Sequence, residues 1–330
     1  MSVAHVSRRT GRLQDAIESA QVYRRRRAVA LAGLTGVLVL AVAGIRACGG
    51  DAPGSPDGVA DSAAPRPKPP ALPRGGREIF PAHRVVAFYG APQSDRLGAL
   101  GIGSPDRAGR RLQRVARRYS TKQRPALPAF ELISTIAAEG PGEDGLHRIH
   151  QTPATIDRYL RAARRAKALL LLDIQPGRGD FLTEAQRLER WLREPDVGLA
   201  LDPEWHVGAN EIPGQTIGSV TAEDVNEVSA YLAGFVAERR LPEKLLVVHQ
   251  FTSGMIEGKD RVLERPGLAI TMNIDGFGDR ANKRAKYAQF TADVPRFRDG
   301  FKLFYEEDTK LMRPRDVLRL RPSPDLVVYE

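Results

Sequence analysis

One cysteine, Cys48, is all that the 330 residues hold, so no intrachain disulfide staples this fold. A single cysteine also excludes a CxxC redox pair or a cysteine-built zinc knuckle. No Gly-x-Gly-x-x-Gly turn or P-loop directly follows any strand-like run, which argues against the usual dinucleotide and nucleotide cradles. There is no nucleophile elbow and no His-Glu-x-x-His, which argues against a serine hydrolase or a zincin. Lysine is scarce, nine of the 50 basic residues, a bias we ascribe to high-GC coding rather than to a binding surface. Aromatics are only 6% of the chain, so a gathering of them at one place is informative.

The net charge of +10 is partly an N-terminal matter. Residues 1–27 carry seven Arg against Asp15 and Glu18, and four of the Arg form the run Arg24–Arg27. Ala28–Ile45 follows without one charge, a length that just spans a bilayer core. The basic run should keep the N-terminus in the cytoplasm, and Arg46 can snorkel at the far side. We expect a single-pass signal anchor over residues 28–47, behind a basic cytoplasmic tail, 1–27. Two alternatives are cleavage after Ala41-Val42-Ala43, giving a secreted protein, and a lipoprotein anchored through Cys48. Each version puts the remainder outside the cytoplasm, and the basic tail reads as topology rather than as nucleic-acid binding. Residues 48–76, with Pro65-Arg66-Pro67-Lys68-Pro69-Pro70, read as a disordered tether.

From Arg77 to Glu330 the pattern is that of one globular domain. Eight apolar runs recur: Arg84–Tyr89, Ala126–Ile133, Ala168–Ile174, Val197–Asp202, Lys244–Gln250, Leu268–Ile274, Gly300–Tyr305 and Leu326–Tyr329. Near-continuous apolar runs indicate parallel strands buried on both faces. Amphipathic stretches separate them: Arg107–Tyr119, a helix opening at Thr152-Pro153, one with a Thr183/Gln186 capping box, and Ala222–Arg239 behind Thr221. Eight β-runs alternating with helices predict an α/β (β/α)8 TIM-like barrel, irregular at the last unit, where the segment around Phe80 is a candidate cover. A doubly wound open sheet is the competing architecture.

Active sites of such barrels lie at the C-terminal ends of the strands. The fourth run ends Asp202-Pro203-Glu204-Trp205-His206. If the strand continues, Asp202 and Glu204 share one face, as acid/base chemistry at a single bond requires. Asp173 and Asp275 end the third and sixth runs and complete the candidate catalytic set. Tyr89, Glu131, Trp205, His206, His249, Gln250 and Tyr305 are the candidate substrate-binding residues, aromatics to stack on sugar rings and polar groups to hold hydroxyls.

Asp202-x-Glu204 is similar to the Asp-x-Glu of glycoside hydrolase family 25 muramidases, and Val248-His249-Gln250-Phe251-Thr252-Ser253 faintly resembles their aromatic-Gln-Tyr-Thr segment. The first run, Val85–Gly90, departs from that family by lacking an Asp. More broadly, the chain resembles glycosidase-like barrel surface proteins of high-GC Gram-positive bacteria. The resemblance implies Glu204 as general acid, Asp202 as stabiliser of the positive centre or holder of a water, and Asp275 or Asp173 as the opposing base. It also implies a polysaccharide or peptidoglycan-type glycan as partner, met at the outer side of the membrane. No cofactor and no metal are expected. Two other readings stay open: a non-catalytic glycan- or wall-binding barrel, and a metal-dependent hydrolase or isomerase.

Overall fold

The computed structural model describes residues 69–294 and 296–330. The basic tail, the apolar span 28–47, Cys48 and most of the expected linker lie outside the described residues. Among the described residues, no helix is long and apolar enough to cross a membrane.

Eight parallel strands follow the apolar runs: β1 (Arg84–Gly90), β2 (Ala126–Ala137), β3 (Leu169–Ile174), β4 (Val197–Leu201), β5 (Lys244–Gln250), β6 (Leu268–Ile274), β7 (Arg298–Leu303) and β8 (Leu326–Tyr329). Each pairs with its sequence neighbour. β1 also pairs with β8, Val85 opposite Leu326 and Phe88 opposite Tyr329, which closes the ring. Closure rules out the doubly wound open sheet. The strands had to be apolar throughout, because one face packs inside the barrel and the other against helices. The inner set is Val85, Ala87, Leu127, Ala129, Leu169, Leu171, Ala200, Leu245, Val247, Ala269, Leu326 and Val328. The outer set, with Val86, Phe88, Leu170, Leu172 and Val248, merges with the helices.

Helices α1 (Pro105–Ala116), α2 (Pro153–Arg165), α3 (Phe181–Arg187), α4 (Glu189–Leu192), α5 (Ala222–Arg239), α6 (Arg280–Ala292) and α7 (Pro314–Val317) lie between the strands. Thr152 caps α2 as expected, accepting from the Thr155 amide, with Pro153 in the first turn. Thr221 and Asp224 form a reciprocal capping box on α5. The expected Thr183/Gln186 box does not form. Asp180 is the cap, taking the Thr183 amide at 2.7 Å, because an aspartate three residues earlier is the better acceptor for that donor. Between β5 and β6 there is no α-helix, but a two-residue strand, Ile256–Glu257, and the 3-10 turn Lys259–Arg261.

The segment before β1 does not stand in for an eighth helix. Leu72, Ile79 and Phe80 join the inner cluster and plug the N-terminal end of the barrel. Their backbone is fixed from outside: Arg77 donates to the Arg240 and Leu241 carbonyls, and the Phe80 amide donates to Glu243. The folded region thus includes Leu72, inside the stretch expected to be linker, since a buried leucine anchors an otherwise polar segment. Phe80→Ala empties the plug and should cost about 3–5 kcal/mol in a denaturant titration. The seam between β8 and β1 is covered instead by α1 and aromatic rings. Tyr305 stacks on Tyr329 at 5.2 Å, and the Tyr119 and Tyr329 hydroxyls meet at 2.6 Å.

Candidate active site

At the C-terminal end of the strands the inner row turns from apolar to charged. Period-two alternation carries each strand from an aliphatic residue to a polar one on the same face: Ala87 to Tyr89, Ala129 to Glu131, Leu171 to Asp173, Val247 to His249. On β7 the inward row is Gly300 and Lys302. Glycine is needed there, since a Cβ on Gly300 would come within 2.5 Å of Asn273 Oδ1. Asp202, Asp275 and Glu330 follow directly on β4, β6 and β8. Glu131, Asp173, Asp202, His249, Asp275 and Lys302 are all fully buried.

Two groupings emerge. In the first, the Tyr89 hydroxyl lies 3.2 Å from both Asp173 Oδ2 and Asp202 Oδ2. Its single proton serves one carboxylate at a time. Gln175 Nε2 donates to the Tyr89 oxygen at 2.9 Å and to Asp202 Oδ2 at 3.2 Å. The Gln175 carbonyl accepts from the Ala137 amide, which sets the amide's direction. In the second, His249 bridges Glu131 (Nε2, 2.9 Å) and Asp275 (Nδ1, 3.2 Å). Lys302 Nζ reaches Asp275 at 3.2 Å and Glu330 at 2.7 Å, and sits 3.7 Å from the Tyr89 ring centre.

Burial pushes the Asp173 carboxyl well above the ordinary range, and the facing Asp202 charge adds to it. For His249 burial acts downward. The Asp202 charge and the bonds to Asp275 and Glu131 outweigh it and lift the imidazole to about 10. The surroundings therefore favour the protonated form of Asp173, and at neutral pH His249 is an imidazolium. His249 and Lys302 are the basic groups set among the carboxyls of Glu131, Asp275 and Glu330, and Asp202 faces Asp173 across the Tyr89 hydroxyl.

Ligand atoms of Glu131, Asp173 and His249, and of Asp202, His249 and Asp275, lie within 4.8 Å of one another. A divalent cation at either trio would take the place of a proton on His249.

The expected Asp202/Glu204 pair does not form as two residues of one strand. β4 ends at Leu201, and Pro203–Trp205 is a 3-10 turn, so the period of two stops at Asp202. Asp202 joins the cluster, and Glu204 is buried in the turn, outside both trios. Tyr89, Glu131, Asp173, His249 and Asp275 are brought together as expected. Trp205 is buried in the turn beside Glu204. His206 lies past the turn, bonded to the Ser219 carbonyl at 2.7 Å and packed on Phe181. Gln250 is one position beyond His249 and so faces outward, where its oxygen accepts from Lys259 at 2.7 Å. Tyr305 lies on the outer side of the β8–β1 seam, 42% exposed. Three cluster residues, Gln175, Lys302 and Glu330, were outside the expected site. A lone lysine inside the apolar run Gly300–Leu303 was the visible signal for Lys302.

No family model matches this chain, and no curated protein matches it.

Proposed function

We propose that the barrel is a glycoside hydrolase that cleaves a cell-wall type polysaccharide by carboxylate acid/base catalysis. The observation that carries this reading is the pair Asp173/Asp202, on neighbouring strands and joined through one tyrosine hydroxyl. Two facing carboxyls, one of them pushed toward its protonated form, are what glycosidic cleavage needs. Asp173 donates its proton to the leaving oxygen. Asp202 supports the positive centre, as nucleophile or as base for a water. Tyr89 and Gln175 fix the spacing of the two. This moves the acid role from Glu204 to Asp173, because burial and the facing Asp202 favour its protonated form.

The basic run followed by eighteen uncharged residues supports an anchored, extracytoplasmic setting, where such polysaccharide is met. Asp202→Asn should lower the release of reducing ends from polysaccharide by about 100–10,000-fold while the far-UV spectrum is unchanged. Wild-type turnover in that variant would sink the proposal. A chelator should leave the rate within experimental error, because the chain's own proton donor does the work; loss of activity would favour the metal-dependent reading.

The complete burial of the carboxylates favours a second reading, a barrel that binds glycan without cleaving it. It predicts retention on polysaccharide with no reducing ends released by the wild-type chain.

A further inference from the structure

The outer ring has helices over most of the barrel, and the β8–β1 seam is flanked on one side by α1 and aromatic rings. A concave groove of about 410 Å³ opens there, lined by Phe88, Ile102, Arg111, Arg114, Arg118 and Tyr305, among others. Its floor is apolar and its rim is cationic. Tyr305 is 42% exposed and Ile102 38%, high for side chains of their size. Arg111 lies 5.4 Å from the Phe88 ring centre, so one guanidinium is laid over the aromatic floor.

Some exposed arginines of this molecule pair with carboxylates: Arg164 with Glu194 and Asp196, Arg165 with Asp106, Arg190 with Asp157, Arg261 with Glu223. Among the described residues, no carboxylate lies within ion-pair distance of Arg110, Arg111, Arg114, Arg117 or Arg118. These five share one stretch of α1 and the turn after it, so the like charges repel, and only Arg110 has a nearby acid, Asp106, to offset it. Such a cost at one place, beside exposed rings, fits a groove built for an anion.

The groove also leads somewhere. Ile102 and Tyr305 are shared with an adjoining small cleft whose wall includes Asp95, Glu306, Glu307 and Glu330. Glu330 bonds Lys302 inside the barrel. The seam thus joins a cationic groove to the catalytic end, with an acidic rim between them that keeps negative groups on the arginine side.

We infer that this groove is a subsite for an anionic glycan, its acidic groups paired by Arg114 and Arg118 and a sugar ring laid on Tyr305. Guanidinium forks match carboxylate or phosphate oxygens two at a time, and a tyrosine face takes a sugar's apolar face. The inference rests on the glycan reading above and narrows it to acidic glycans.

The test uses the full chain carrying Asp202→Asn, so that binding is read without cleavage. The probes are a tetrasaccharide alternating glucuronate with N-acetylglucosamine and the neutral N-acetylglucosamine tetramer, followed by calorimetry at low and at 0.5 M salt. The acidic probe should bind at least tenfold tighter than the neutral one, and salt should erase the difference. Adding Arg114→Ala and Arg118→Ala should remove that preference. Adding Tyr305→Ala alone should weaken both probes. These side chains are at the surface, so an unchanged melting curve certifies the fold of each variant. Equal affinity for the two probes, no binding, or a preference that survives the double arginine change would overturn the inference. So would arginine-dependent capture of anionic vesicles or single-stranded DNA in place of the acidic glycan. Selective binding with no hydrolysis by the wild-type chain would leave the subsite standing and remove the hydrolase; hydrolysis without selectivity would do the reverse.

Discussion

Asp173→Asn should abolish hydrolysis and, in the same protein, raise stability. The two effects have one origin. The Asp173 carboxyl is buried and faces the Asp202 charge, and both push its proton affinity up. A group whose folded pKa lies above its unfolded value stabilises the fold only below the unfolded value. That contribution is lost as pH rises through the ordinary aspartate range toward the folded pKa. At neutral pH Asp173 is therefore a liability. Asparagine is nearly isosteric, cannot ionise, and can donate from its amide toward Asp202. We expect the melting temperature to rise by about 2–4 °C for each kcal/mol recovered, with a larger gain at pH 8 than at pH 4. Reducing-end release should fall by two orders of magnitude or more, since no proton is left to give. A variant less stable than wild type at pH 8 would mean that Asp173 is ionised and paired in the folded state.

Lys302→Met should lower stability substantially. Methionine keeps the length and apolar stem but removes the ammonium. Lys302 is fully buried and bonds Asp275 at 3.2 Å and Glu330 at 2.7 Å, beside an imidazolium that already serves Glu131. Removing one member of a buried charge cluster typically costs about 3–5 kcal/mol, because the partners' charge remains. Urea unfolding should show that loss with an unchanged slope. Lowering the pH should recover part of it as carboxylates protonate. A loss under about 1 kcal/mol would mean that the cluster is balanced without Lys302.

Much of the architecture was legible because parallel barrel strands leave an unmistakable trace. All eight apolar runs became strands, while ring closure, which their alternation with helices left open against a doubly wound sheet, is seen in the β1–β8 pairing. What an apolar run does not reveal is which of its two faces points inward. Both faces are hydrophobic, so His249 and Gln250 looked equally suited to the site. Only pairing shows that His249 faces the axis and Gln250 faces Lys259. The same ambiguity hid Lys302, which reads as a stray charge until Tyr89 and Asp275 are seen beside it. The Asp202/Glu204 pairing failed for a local reason: extended backbone ends at Leu201, and the proline between the acids opens a tight turn. Phe80 was misplaced because a plug at the barrel's end and a cover on its side look alike in a sequence.

The centre of the account is one proton, resting on Asp173 because the side chain is buried and Asp202 faces it. Carbon-13 NMR of labelled aspartate carboxyls reads that proton directly. The account predicts that Asp173 titrates well above the ordinary aspartate value of about 3.9 and moves back toward it in Asp202→Asn. A wild-type Asp173 that titrates at the ordinary value, unmoved by Asp202→Asn, would contradict it.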